Sequence, residues 1–187
     1  MNGVDISDCR MILSSFPVED RAFLEQSNII LLAGGDVEAG WNIFESANLK
    51  EVLVRTHLRG ALLMGVSAGA VQLGLCGCRK GGQPGNDLFD TFGLAPFVIG
   101  VHEEDWRDLT RVIRLKGAGV AGIGIPAGGG LLYHSGYSLE PVRHPCNAIS
   151  VKEGVLTANV LLPGSRISQA VSTEPDIGPD RLFLERE

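Results

Sequence analysis

The chain has 187 residues, of which 44% are hydrophobic and 20% are charged, and its formal net charge is −6. This length predicts a single domain over residues 1–187 with a substantial buried core. The negative charge disfavours nucleic acid as a partner, and no apolar run is long enough for a membrane span. Since no basic and apolar leader opens the chain, a cytoplasmic location is expected.

The cysteines predict neither a disulfide framework nor a metal site. Cys76 and Cys78 are separated by one residue and have no second pair nearby, which is not the spacing of a zinc site. Cys9 and Cys146 are isolated in the sequence. We therefore expect free thiols, buried or half-buried, and no metal or organic cofactor.

The first third of the chain predicts alternating helices and strands. A short strand is expected near residues 8–13, followed by a helix over 16–26 with proline and acidic residues in its first turn. The apolar runs at 28–32 and 61–64 predict strands buried on both faces. Two helical stretches lie between those strands, at residues 37–48 and 49–57.

The remainder of the chain continues this alternation and then changes to short β segments. A strand over 97–101 leads into a helix over 103–115, and the later strands are expected at 120–125, 130–133, 137–142, 148–151 and 155–162. The Pro- and charge-rich segment 172–187 is expected to be a loosely held tail. This order is typical of a doubly wound, mostly parallel α/β sheet with helices on both faces and antiparallel hairpins at one edge.

A serine lies at the turn between the strand at 61–64 and a short helical segment. The sequence Gly65-Val66-Ser67-Ala68-Gly69 has the G-x-S-x-G pattern of a nucleophile elbow. Only small neighbours allow strand and helix to approach closely while the serine hydroxyl stays accessible. The pattern alone occurs by chance in glycine-rich chains, but its position between a buried strand and a helix favours a nucleophile.

A serine nucleophile needs a base, and His102 is the best placed of the four histidines. It follows the strand at 97–101 directly, so that Ser67 and His102 are both expected at the carboxyl ends of strands, where ligands bind in α/β sheets. The alternative is that His102 caps the next helix. His57, His134 and His144 are expected to be structural or surface residues.

Several segments together resemble the peptidase E (aspartyl dipeptidase) and cyanophycinase family of serine peptidases. The segments, in family order, are Leu31–Asp36, Gly65–Ala70, the Phe89-Asp90-x-x-Gly93-Leu94-x-Pro96-Phe97 stretch leading to His102, and Gly124–Pro126. The resemblance implies a flavodoxin-like three-layer sandwich related to class I glutamine amidotransferases. It also implies Ser67 as nucleophile, His102 as base, and backbone N–H groups of Gly35 and Ala68 as the oxyanion hole.

The sequence departs from that family at three places. The family's triad acid lies in the loop between serine and histidine, where Asp87 is the nearest stand-in, and Ala127 occupies a position where relatives often have glutamate. Relatives also begin with a further strand and helix, which this chain is expected to lack.

The resemblance also implies a small peptide substrate, such as an aspartyl dipeptide or a cyanophycin-like isopeptide. Asp36, Arg107 and Arg111 are the expected substrate-binding residues, with the alternative that the two arginines form i,i+4 ion pairs on a solvated helix face. A homodimer is compatible with the sequence.

Two other functions are compatible with parts of the sequence. A catalytically weak or inactive relative that binds a small ligand is the main alternative, because no carboxylate matches the triad acid cleanly. An α/β-hydrolase esterase shares G-x-S-x-G, but its histidine normally comes last, after the acid, and the C-terminal hairpins offer no well-placed histidine beyond His134 and His144.

Overall fold

The computed structural model describes residues 6–79, 87–152 and 154–168. In chain order the elements are α1 (Val18–Gln26), β1 (Ile29–Leu32), α2 (Val37–Ser46), α3 (Leu49–Leu58), β2 (Leu62–Gly65), α4 (Ala68–Leu73), β3 (Cys76–Cys78), β4 (Leu88–Asp90), β5 (Val98–Val101), α5 (Arg107–Lys116), β6 (Ala121–Ile125), β7 (Gly130–Tyr133), β8 (Ser138–Val142), β9 (Cys146–Lys152), β10 (Val155–Leu161) and β11 (Ile167–Ser168). The α/β class predicted from the sequence is confirmed.

The described strands form four small sheets. Two pairs are parallel, β1 with β2 and β5 with β6, while the order β10-β9-β6-β5 adds two antiparallel strands to the second pair. The remaining sheets, β11-β8-β7 and β3-β4, are antiparallel. The predicted antiparallel C-terminal strands are therefore present, whereas the described strands do not join into one continuous doubly wound sheet.

Three apolar clusters hold these layers together. The first joins β1 to α1 and α3 through residues such as Ile30, Leu32 and Val52. The second lies between β5, β6 and the C-terminal strands, around Phe97 and Ile123. The third packs α5 on β5 and β9, with Leu109 and Ile113 at its centre. Burial of these side chains supplies the main stabilisation of the fold.

The prediction that β1 and β2 are buried on both faces is wrong. Ile30 and Leu32 are buried under the helices, but their neighbours Ile29 and Leu31 are exposed. Leu62 and Met64 on β2 are exposed in the same way. No described helix covers this second face, so the strands show the alternation of a half-buried sheet.

One predicted strand is absent, and the helix predicted after His102 begins later than expected. Residues 8–13 form no strand among the described residues. The helix expected from residue 103 begins at Arg107, because Trp106 adopts a left-handed conformation with φ 56°. The expected tail at 172–187 lies outside the described residues, as does most of the loop between Arg79 and Asp87.

None of the described helices is long and apolar enough to span a membrane.

We predict that Ile113→Ala lowers the free energy of unfolding by about 2–5 kcal/mol, because Ile113 is fully buried between α5 and the sheet. The matched control is Leu115→Ala, on the same helix but half exposed, which should cost much less. Urea unfolding followed by circular dichroism measures both. Equal losses would contradict the packing described for α5.

The thiols give a second prediction. Cys76 and Cys146 are buried, and burial raises the pKa of each to about 11, whereas Cys9 is exposed. At pH 9, iodoacetamide should therefore modify Cys9 quickly and leave Cys76 and Cys146 unmodified until the chain unfolds. Peptide mass mapping measures the order of modification, and rapid alkylation of Cys146 in the folded chain would contradict it.

The same two groups predict the direction of the pH dependence of stability. In the unfolded chain these thiols ionise around pH 9, while in the folded chain they stay protonated to about pH 11. The unfolded state therefore binds fewer protons in this range, and folding stability should fall as the pH rises from about 9 towards 11.

Candidate active site

Ser67 lies at the sharp turn between β2 and α4. Its backbone has φ 56° and ψ −116°, a combination that costs energy for a residue with a side chain. β2 ends two residues earlier at Gly65, and α4 begins at Ala68. The predicted strand, strained serine and helix are all observed, which is the geometry of a nucleophile elbow.

Three glycines make this turn sterically feasible. A Cβ on Gly65 would lie 2.5 Å from the Gly69 carbonyl oxygen, and a Cβ on Gly69 would lie 2.2 Å from the Leu32 carbonyl oxygen. A Cβ on Gly34 would lie 3.3 Å from the Ser67 Cβ. The close approach of α4 to β1 and to β2 therefore requires glycine at Gly69 and Gly65, while a side chain at Gly34 would be tight against Ser67.

His102 lies directly after β5 and reaches the serine. Its Nε2 is 2.8 Å from Ser67 Oγ, within hydrogen-bond range. The residue has φ 62°, so both members of the pair occupy a strained backbone conformation at a strand end. A hydroxyl in contact with an imidazole can transfer its proton to the ring nitrogen as it attacks an electrophile.

Glu103 fixes the segment that follows His102. Its carboxylate accepts hydrogen bonds from the backbone N–H groups of Asp108, at 2.9 Å, and Leu109, at 3.2 Å, in the first turn of α5. Burial raises the pKa of Glu103, and the two N–H donors oppose that shift. Glu103 therefore caps α5. The alternative that His102 caps this helix is not observed, since the His102 ring contacts Ser67.

The serine and the histidine open onto a cavity of about 190 Å³. Its lining residues come from the β1–α2 turn, the elbow and the neighbouring strands: Gly35, Asp36, Val37, Glu38, Ser67, Ala68, Cys78, Val101 and His102. The backbones of Gly35 and Ala68 therefore share one cavity with Ser67. Within the described part of the chain, neither of their N–H groups donates to a backbone carbonyl.

Asp36 has a structural role in addition to its place in the lining. Its Oδ1 accepts hydrogen bonds from the N–H groups of Glu38, at 3.1 Å, and Ala39, at 3.0 Å. This is an N-cap of α2. Because the cap fixes the start of α2 beside Ser67, Asp36 determines where the lining residues Val37 and Glu38 lie.

Asp87, the stand-in for the triad acid, interacts with an arginine. Its Oδ2 is 3.3 Å from Nη1 of Arg111, whose Nη2 lies 2.9 Å from Cys78 Sγ. Among the described residues, no hydrogen bond joins a carboxylate to the second ring nitrogen of His102. Residues 80–86, the middle of the loop expected to hold the acid, lie outside the described part.

The two predicted substrate arginines lie on α5, beside a separate groove. Arg107 is exposed and pairs with Asp105 at 2.7 Å. Both arginines line a groove of about 480 Å³ with Thr110, Arg114 and Leu156. Arg111, which lines this groove, also contacts Cys78, and Cys78 lines the serine cavity. Neither arginine is itself among the residues that line the serine cavity.

The other histidines lie away from Ser67. His134 contacts Glu140 at 3.0 Å, and His57 contacts the Ala61 carbonyl oxygen at 3.0 Å. Hydrogen bonds from His134 and Arg166 lower the pKa of Glu140. His144 lies next to Gly128. Across residues 6–79, 87–152 and 154–168, the structure contains no cluster of side chains that could hold a metal ion.

Sequence reasoning missed four lining residues, of which Glu38 and Cys78 carry reactive or charged groups and Val37 and Val101 are apolar. Glu38 is two residues beyond the Gly-Gly-Asp turn, and its position in the first turn of α2 is enough to place it at the carboxyl end of β1. Cys78 follows the elbow helix on β3, and no local pattern indicates that this strand returns to the cavity.

The sequence and structure were compared with known proteins. The model of peptidase family S51 matches residues 12–134. Among solved structures, a peptidase from an acI-B1 Actinobacterium superposes with a TM-score of 0.61 at 18% identity, covering 80% of this chain and 63% of that one. A protein titled as a peptidase E from Listeria monocytogenes EGD-e has a TM-score of 0.43 at 17% identity, covering 76% of this chain and 64% of that one. Comparison with curated proteins gives no match.

This chain therefore spans less than two thirds of the length of both solved structures. The first comparison supports the α/β fold assignment.

We predict that Gly69→Ala disrupts the elbow. The new Cβ would meet the Leu32 backbone, so the free energy of unfolding should fall by about 1–3 kcal/mol and the Ser67 turn should shift. Gly136→Ala is the matched control, because a Cβ there has no neighbour within 4 Å. Thermal unfolding measures both variants, and an unaffected Gly69→Ala protein would contradict the close contact between α4 and β1.

Proposed function

Because the chain belongs to peptidase family S51, we propose that it is a serine-type peptidase that hydrolyses small peptides or isopeptides. The observation that supports this most directly is the contact of 2.8 Å between Ser67 Oγ and His102 Nε2 at the edge of a cavity. Serine and base within hydrogen-bond reach are the minimum for nucleophilic acyl transfer.

In the proposed reaction, Ser67 Oγ attacks the scissile carbonyl carbon while His102 Nε2 accepts the hydroxyl proton. The N–H groups of Gly35 and Ala68 stabilise the negative charge that develops on the carbonyl oxygen. His102 then gives the proton to the leaving amine as the C–N bond breaks. Water attacks the resulting acyl-serine ester by the same route, with His102 again accepting and returning the proton.

The third member of the proposed triad is an acid that orients His102. Asp87 is retained as the candidate acid from the sequence, although its described carboxylate contact is with Arg111. A missing orienting acid can lower kcat by several orders of magnitude without abolishing the reaction. A peptidase with a low kcat is therefore also compatible with the proposed function.

The expected substrate class comes from the family resemblance. Aspartyl dipeptides and cyanophycin-like isopeptides are proposed, with Asp36, Arg107 and Arg111 as substrate-binding residues. The position of Arg111 between the α5 groove and Cys78 supports a contact with the part of a substrate that extends beyond the serine cavity.

We also propose the finer architecture and the setting of the protein. The parallel pairs β1–β2 and β5–β6, each with helices packed on it, are compatible with parts of a flavodoxin-like three-layer sandwich in one domain. We further propose a cytoplasmic location and a homodimer, the expectations that the sequence analysis gives for this chain.

A ligand-binding relative without efficient catalysis is the second candidate. It is favoured by the absence, in the described part, of a carboxylate hydrogen-bonded to His102, and by Ala127. An α/β-hydrolase esterase is disfavoured because its histidine normally comes late in the chain, whereas Ser67 contacts His102, and the later His134 contacts Glu140 instead.

A serine-directed fluorophosphonate distinguishes the enzyme from the binder. We predict that the full chain is labelled at Ser67, that Ser67→Ala abolishes labelling, and that His102→Gln slows it at least about 100-fold. Ser46→Ala, an exposed serine at the end of α2, is the matched control and should leave the rate unchanged. A folded protein that shows no labelling would favour the ligand-binding alternative.

A further inference from the structure

The strand β10 lies at the edge of its sheet, and its outer side is unpaired among the described strands. In the order β10-β9-β6-β5, it pairs with β9 alone. Six of its seven residues are exposed, and the strand contains neither a charged residue nor a proline. Charges, prolines and bulges are the usual features that stop an edge strand from pairing with another segment. β10 is therefore open to the addition of a further strand.

One face of β10 continues onto α5. Leu156 and Ala158 lie opposite Val151 and Ile149 of β9, and those two residues belong to the apolar cluster around α5. Cross-strand partners share a face of the sheet, so Leu156 and Ala158 are on the α5 side. Leu156 and the half-exposed Leu115 of α5 both line the groove of about 480 Å³. A strand added to β10 would therefore have this groove beside one of its faces.

The α5 side of the groove is basic. Three arginines and one aspartate line it. Arg107 pairs with Asp105 and Arg111 pairs with Asp87, whereas Arg114 forms no ion pair within the described part of the chain. The groove therefore favours a segment that carries carboxylates, with Arg114 as the cation that still lacks a partner.

The segment 169–187, which lies outside the described residues, has the complementary composition. It contains five acidic and two basic residues, and it includes the apolar and acidic sequence RLFLERE at 181–187. Side chains alternate along a strand, so Phe183, Glu185 and Glu187 would share one face if this sequence were extended. One large apolar side chain and two carboxylates match a groove that is lined by leucines and arginines.

The length of the chain allows this segment to reach β10 of the same molecule. The last described residue is Ser168 at the end of β11, and twelve residues separate it from Arg181. When extended, they span up to about 40 Å, which is comparable to the diameter of a domain of this size. A second copy paired edge to edge through β10 is disfavoured, because it would place two arginine-lined grooves side by side.

We propose that residues 181–187 bind in an extended conformation along the free edge of β10 in the same chain, with Phe183 against Leu156 and the carboxylates that follow it facing the arginines of α5. The bound segment would compete with a substrate for these arginines. That consequence rests on the proposed peptidase function, whereas the docking itself does not.

Amide hydrogen exchange of the full chain, followed by mass spectrometry, tests the docking without catalysis. We expect the peptide 182–187 to exchange at least about tenfold more slowly than an unstructured chain. The protection should be independent of protein concentration, because the contact is within one molecule. It should decrease as the salt concentration rises, because the ion pairs are exposed.

Two variants test the contact from both sides. Phe183→Ser should speed amide exchange in β10, which is distant in sequence, because the outer amide groups of that strand lose their partners. Arg114→Glu should speed exchange of the peptide 182–187 about fivefold, because an attraction becomes a repulsion.

Arg21→Glu is the matched control. It makes the same charge reversal on α1, outside the groove, and should leave both peptides unchanged. Circular dichroism confirms that each variant is folded.

Exchange of the peptide 182–187 at the rate of an unstructured chain would overturn the proposal, as would unchanged exchange of β10 in Phe183→Ser. Equal protection of 182–187 in Arg114→Glu would place the segment elsewhere and overturn the proposed site. Protection that grows with protein concentration would assign the contact to a second copy and also contradict the proposal. The reaction of Ser67 with a fluorophosphonate reports on the peptidase function separately, so either proposal can fail without the other.

Discussion

The site depends on a steric constraint, the close packing of the elbow helix α4 against β1. Gly69 lies so near the Leu32 carbonyl that any side chain would force the two elements apart. Because α4 begins immediately after Ser67, this packing also holds the serine in its strained conformation. The hydroxyl lies within reach of His102, which directly follows β5.

Much of this arrangement could be predicted from the sequence, because it depends on local chemistry. The turn after an apolar strand, the small residues around Ser67 and the position of His102 after β5 are all properties of short segments. The predicted elements placed both residues at the carboxyl ends of strands, and Ser67 and His102 do meet, although β2 and β5 belong to separate described sheets. The N-cap that Asp36 forms on α2 also depends only on residues close in sequence, although the sequence analysis expected Asp36 to contact the substrate.

The features that sequence reasoning missed are those set by contacts between distant segments. Arg111 pairs with Asp87, 24 positions away, and lies beside Cys78, which no pattern on α5 indicates. The exposed face of β1 could not be foreseen, because an apolar run does not reveal whether one or two layers cover it. The late start of α5 depends on Glu103 bonding to backbone groups five and six residues away.

Charge divides the surroundings of Ser67 into two regions. The β1–α2 turn contributes carboxylates close to the nucleophile, and α5 contributes guanidinium groups at the neighbouring groove. Cys78 and Arg111 lie where these regions meet. A substrate with charges of both signs would be oriented by such a division, because each end would be favoured in only one of them.

A crystal structure of the protein after reaction with a phosphonylating reagent tests the central claim most directly. We expect phosphorus bonded to Ser67 Oγ, the phosphoryl oxygen within hydrogen-bond distance of the N–H groups of Gly35 and Ala68, and His102 Nε2 beside the position of the leaving group. A phosphoryl oxygen directed away from both N–H groups, or an unmodified Ser67 with the reagent bound elsewhere, would contradict it.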